Sequence, residues 1–249
     1  MLQTGNGGGP PEDTLAPVAR GGTRAVRELP PALPPETRTV GQLVAEAIRL
    51  YGRRFWRALA LGVLPAAAGV IGAELPRGGA ILFALTAGAL VTTASYIGAT
   101  LLVDERRAEG GAVLRALLLG WLVFLPVPFL VSIFILPAVA WLALVGLVVP
   151  VVLLERRGLR EAVGRAVELA RADYVHAAGS LAALVVVALL SSSVLFFLLR
   201  GQGEATLRVA AFLSVVVISP VVFLGAVLLY FDQEARLSAR DDGARMARG

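Results

Sequence analysis

Between Ala112 and Leu154 the chain carries a single charge, Arg115. As one straight helix this stretch would reach roughly 65 Å, about twice the thickness of a bilayer's hydrocarbon core. An uncharged run of that length has to cross apolar surroundings and fold back. Pro126, Pro128 and Pro137 offer places to bend, and the turn is expected near Ser132–Leu136. Shorter uncharged runs lie on either side. The expected spans are about 55–73, 80–103, 112–132, 136–154, 177–199 and 207–231, each near the length that crosses a bilayer. Only 16% of the residues are charged, against about 25% in soluble domains. The fold class that follows is all-α: a polytopic helical membrane bundle of six transmembrane helices.

Arginine placement supports this threading. All 23 basic residues are arginine. With six spans, only Arg77, Arg200 and Arg208 face one side, and the rest face the other. A single span over 112–154 would instead divide the arginines between the two sides. Cytoplasmic loops are enriched in Lys and Arg. The expectation is therefore a multi-pass protein of the cell membrane with both termini cytoplasmic. The prolines and the run GNGGGPP in 1–38 predict a disordered tail. The membrane domain is read as 39–236, with a second disordered tail over 237–249.

Two further segments have a different character. Over 40–54, Val40, Leu43, Val44, Ala47, Ile48, Tyr51 and then Phe55 share one helical face, with Gln42, Glu46, Arg49 and Arg53 away from it. Thr39 and Gln42 form a capping box that marks the start. Over 159–174, Leu159, Ala162, Val163, Ala166, Val167, Ala170 and Tyr174 repeat the spacing. Both helices are expected to lie at the membrane interface. Arg49, Arg53, Arg54, Arg57 and Arg165 are the candidate contacts for anionic headgroups, with Trp56 in the aromatic belt. The stripe of the first helix fits packing on the protein's own spans equally well. The recurrence fits a parallel internal repeat of one amphipathic helix and two spans, or simply the period of any such helix.

The stretches VGQLVAEAIRLYGRRFWRAL, VVPVVLLERRGLREAVGRAVEL and LLYFDQEAR, in this order, resemble the bacterial membrane-domain family named after glycerophosphoryl diester phosphodiesterase. The resemblance covers about 38–240. Leu50, Tyr51, Phe55 and Trp56 match its recurring positions, as do Pro150, Glu155, Ala162, Arg165 and Leu169, and then Tyr230, Asp232 and Arg236. Ala166 and Val167 depart from the serine and aromatic common in relatives. The resemblance implies a six-helix membrane domain without the catalytic barrel, which alone needs about 250 residues.

Chemistry is sparsely provided for. The chain has no cysteine and one histidine, His176, which excludes thiolate sites and multi-histidine metal sites. Ser191, Ser192 and Ser193 lie inside the fifth span, and His176 is about 22 Å from Ser191 along a straight helix. Helix-to-helix or backbone bonding is the reading for these serines. Asp104, Glu155 and Asp232 each follow a leucine-rich span end and precede arginine. There they oppose the helix dipole, which suggests partners; ordinary solvated charge at a membrane edge fits them equally well. With Arg236 they are the candidate members of a cytoplasmic belt, with Arg49, Arg53 and Arg165 as the expected partners. No enzyme activity, cofactor or nucleic-acid partner is expected. The function expected is a non-enzymatic module that organises membrane lipids or a protein partner. The alternative is a transporter or lipid-moving protein, which the central prolines would suit.

Overall fold

The computed structural model describes residues 34–105 and 109–247. Residues 1–33 of the expected amino-terminal tail, Arg106 and Arg107 lie outside the described residues. Among those described there are eight main helices and no strand. They are α1 (Val40–Arg53), α2 (Phe55–Ala73), α3 (Arg77–Asp104), α4 (Gly110–Ile133), α5 (Ile135–Leu154), α6 (Leu159–Ala172), α7 (Tyr174–Leu199) and α8 (Glu204–Met246). Six of them, α2 to α5, α7 and α8, are long and apolar enough to cross a membrane.

The long apolar run turns at Phe134, whose φ of −169° and ψ of 154° interrupt the helix inside the expected window. Two prolines follow breaks in the helix. Pro137 sits in the first turn of α5, and Pro150 in the first turn after a break at Gly146–Leu147. No intrahelical N–H is required at either place. In α3 a π-helical segment, Ala84–Gly88, disturbs the backbone ladder, and the Trp121 indole on α4 donates to the Thr86 carbonyl at 3.2 Å.

Two expectations at the ends of the chain are corrected. Pro34–Arg38 is not tail: Pro35–Thr37 forms a 3-10 turn, and Arg38 is only 7% exposed. Composition marks proline-rich sequence as unstructured, but it cannot show that Arg38 has a buried partner elsewhere. The segment 237–246 is likewise helical, because α8 continues unbroken to Met246. It holds no proline, so nothing in it breaks the helix begun in the membrane-spanning part.

The two ends of the bundle are packed differently. At the end bearing α1 and α6, every residue from Val148 to Leu153 is buried, as are Leu224 and Val227–Tyr230. α1 lies against α7 and α8, and α6 against α5 and α8. At the opposite end much of α7 is open, including Val194, Phe196, Phe197 and Leu198. Such a surface suits hydrocarbon. Ion pairs show which loops share an end. Arg54 with Glu105, Arg156 with Glu109, and Arg38 with Asp232 lie at the arginine-rich end. Arg208 with Glu74 lies at the other. This is the alternation that six spans require.

A close backbone approach joins α2 and α8. Pro220 has no N–H to offer the Val216 carbonyl, and Gly62 packs directly against that group. A Cβ at Gly62 would collide with the Val216 backbone. At Gly164, on the outer face of α6, a Cβ would meet nothing within 4 Å. Gly62→Ala is therefore expected to destabilise by about 1–3 kcal/mol through overpacking. Gly164→Ala is expected to stabilise by about 0.5–1 kcal/mol through helix propensity. Thermal unfolding in detergent reads both, and the two shifts should have opposite sign.

Candidate functional site: the charged belt

The belt is built around one turn of α8. Asp232 and Gln233 are fully buried. Arg38, delivered by the Pro34–Arg38 segment, places Nη1 at 2.6 Å from Asp232 Oδ1. Gln233 bonds the backbone of Asp173 twice, accepting from its N–H and donating to its carbonyl, both at 3.2 Å. Arg236 reaches Asp173 Oδ2 at 2.8 Å and the Arg38 carbonyl at 2.7 Å. Asp173 in turn caps α7 by accepting from the His176 N–H at 3.0 Å. Residues 232–236 thus clasp both the chain entering α1 and the α6–α7 junction.

His176 completes the group. Its Nδ1 faces Arg236 Nη2 at 3.5 Å, which leaves Nε2 on the other side of the ring. That nitrogen points at Asp232 Oδ2 across 3.6 Å, and neither atom has a hydrogen-bond partner among the described residues. Around it the two guanidinium groups of Arg38 and Arg236 stand against the two carboxylates of Asp232 and Asp173. Charge balance is what makes such burial tolerable.

A second cluster surrounds Glu155 at the end of α5. Its carboxylate meets Arg157 at 2.6 Å and Arg165 of α6 at 3.3 Å, and it accepts from the Tyr230 hydroxyl at 3.1 Å. Arg165 also holds Glu168 at 3.0 Å. Partial burial works against the charge on Arg165, but the hydrogen bonds and charges of Glu168 and Glu155 outweigh it and raise its pKa. The third contact closes the α1–α2 junction, where Arg54 donates to the Leu102 carbonyl and pairs with Glu105.

The motifs at these span ends share a backbone device. Glu105, after Asp104, has φ 56°, and Arg156, after Glu155, has φ 55°. Left-handed residues end α3 and α5 where glycine would be usual. Asp232 differs. It was expected at a helix end, yet α8 passes straight through it, so its partner is required by burial and not by a helix dipole.

Of the expected belt partners, Arg165 reaches Glu155. Arg49 pairs with Glu46 on its own helix at 3.4 Å. Arg53 and Arg57 are exposed and in no ion pair among the described residues. Trp56 is 79% exposed. Asp104 closes α3 and is part-buried. Sequence reasoning missed Arg38, Asp173, His176 and Gln233 as belt members. The signal for Gln233 was present in the DQEAR turn, but Arg38 lies 194 positions from its partner and gave none. Ser192 bonds Ser214 on α8 at 3.1 Å, a helix-to-helix contact of the kind expected for the serine run.

No family model, curated protein or solved structure matches this chain. The family resemblance therefore rests on the sequence motifs alone.

Removing Asp232 strands a buried guanidinium. Asp232→Ala is expected to cost about 3–5 kcal/mol. Asp241→Ala, at an exposed position of the same helix, should stay within about 0.5 kcal/mol. Melting temperatures in one detergent compare the two, and equal values would remove the belt from the stability of the protein.

Proposed function

We propose that this chain is a non-enzymatic module of the cell membrane that orders anionic lipid at its arginine-rich face. One observation carries the reading: α1 and the first turn of α2 present two apolar edges with different fates. Leu43 and Ala47 are fully buried against the bundle. Ile48, Phe55 and Trp56 remain open on the outer edge, beside the exposed Arg53 and Arg57. An exposed aromatic and aliphatic edge flanked by exposed guanidinium groups, at the start of a span, suits the headgroup layer of an anionic leaflet. α6 repeats the arrangement, with Ala162 and Ala166 buried and Leu159 and Val163 open. In this reading both termini are cytoplasmic, as the arginine distribution favours. The resemblance to the phosphodiesterase-linked membrane domains is carried over for the membrane part only.

A second reading, a lipid-moving protein, draws on a cavity of about 370 Å³ among α3, α4, α5, α7 and α8. It lies at membrane depth and is lined almost wholly by apolar groups such as Phe124, Leu142 and Val222. Hydrocarbon suits such a lining better than an ion or a polar solute.

The test is lipid retention. The variant Arg53→Gln/Trp56→Ala/Arg57→Gln should lose its preference for phosphatidylglycerol over phosphatidylcholine, by about 2 kcal/mol at roughly 1 kcal/mol per arginine. Native mass spectrometry of the protein released from mixed nanodiscs reads the ratio. An unchanged ratio would sink the first reading. Lipid scrambling in proteoliposomes would favour the second.

A further inference from the structure

At the end away from the arginine-rich face, α2 and α8 part around a cleft of about 450 Å³. Its floor is made of small and apolar residues, among them Ala66, Gly69, Ala73 and Ala211. Its rim is charged. Arg208 holds Glu74 and Glu204 at 2.8 Å each. From Ala66 to Glu74 the cleft runs about 12 Å along α2, close to the ~15 Å half-thickness of a hydrocarbon core. Gly69 and Val215 also border neighbouring cavities, so the floor continues inward past the cleft.

The rim triplet contributes little to holding the helices together. The side chains of Arg208, Glu74 and Glu204 are 60%, 59% and 80% exposed, and ion pairs this open are weak. What they do is set the charge pattern above an apolar trough: one guanidinium between two carboxylates. A purely anionic headgroup meets Arg208 but is repelled by both glutamates. A purely cationic one meets the reverse. A zwitterion satisfies all three, with its phosphate on Arg208 and its ammonium between Glu74 and Glu204.

We infer that this cleft binds a zwitterionic phospholipid with a primary ammonium group, one acyl chain lying along the α2–α8 floor. The site differs in place and in charge preference from the anionic-lipid face of α1, and its geometry is independent of that reading.

The experiment uses the full chain, delipidated in detergent and titrated with phosphatidylethanolamine, phosphatidylcholine or phosphatidylglycerol of identical chains. Native mass spectrometry counts the lipid retained. Phosphatidylethanolamine should be held roughly tenfold more tightly than either of the others, the effect of its charge-assisted N–H bonds to the glutamates. Glu74→Gln and Glu204→Gln together should erase that preference, whereas Arg208→Gln should weaken retention of every phospholipid and leave phosphatidylethanolamine ahead; if the double variant fails to fold, Glu74→Gln alone should cut the preference several-fold. Ala211→Phe, which fills the floor, should weaken phosphatidylethanolamine retention without moving the melting temperature. Equal retention of phosphatidylethanolamine and phosphatidylglycerol by the wild type would overturn the assignment, as would a preference that survives these glutamate substitutions. Arg53→Gln/Arg57→Gln at the far end should leave the phosphatidylethanolamine preference intact, so failure of this site and failure of the α1 reading register separately.

Discussion

Asp232 is a carboxylate with no access to solvent in the middle of a helix, and much of the arginine-rich end is organised by the need to neutralise it. A buried charge is tolerable only when paired and bonded. The pairing recruits Arg38 from the start of the described chain and brings His176 from α7 within 3.6 Å. Arg236, one turn further along α8, then binds the carbonyl of Arg38 and the carboxylate of Asp173. Chain entry, the α6–α7 junction and the last span meet in one network. The bonded members of this network fix how these elements meet, while His176 Nε2, Asp232 Oδ2 and Arg236 Nε have no hydrogen-bond partner among the described residues.

The two ends of the bundle are thereby set apart. Near the belt, small residues such as Ala47, Ala162 and Ala166 let the amphipathic helices sit close, and α5 is buried throughout its last turns. Towards the other end the helices part, and apolar cavities open between α2, α3, α4, α7 and α8. In lipid, helices gain no hydrophobic drive to close such gaps, because hydrocarbon can fill them at no cost. A tight end and a loose end follow from the same principle, since only the end with buried charges to satisfy is forced to close.

The placement of individual residues shows how much was readable. The turn at Phe134, the capping box at Thr39 and Gln42, and the pairing of Arg165 with Glu155 all follow from local pattern or from like elements placed at one end. Arg53 and Arg165 read alike as arginines on amphipathic helices, yet one is exposed and the other is held between two glutamates. Periodicity assigns a residue to a face. It does not say which neighbour that face will meet.

What the sequence determined by itself is the class and the threading: six apolar helices, two amphipathic ones and an arginine-rich end. Hydrophobic length and charge asymmetry are properties of the chain read in order, and the bilayer responds to them directly. The tertiary structure alone decided that Arg38 belongs to the core, that α8 runs on past Asp232, and that α2 and α8 part above an apolar floor. Each of these depends on contacts between residues far apart in the chain, where the free energy of pairing or packing arises only once the helices have assembled.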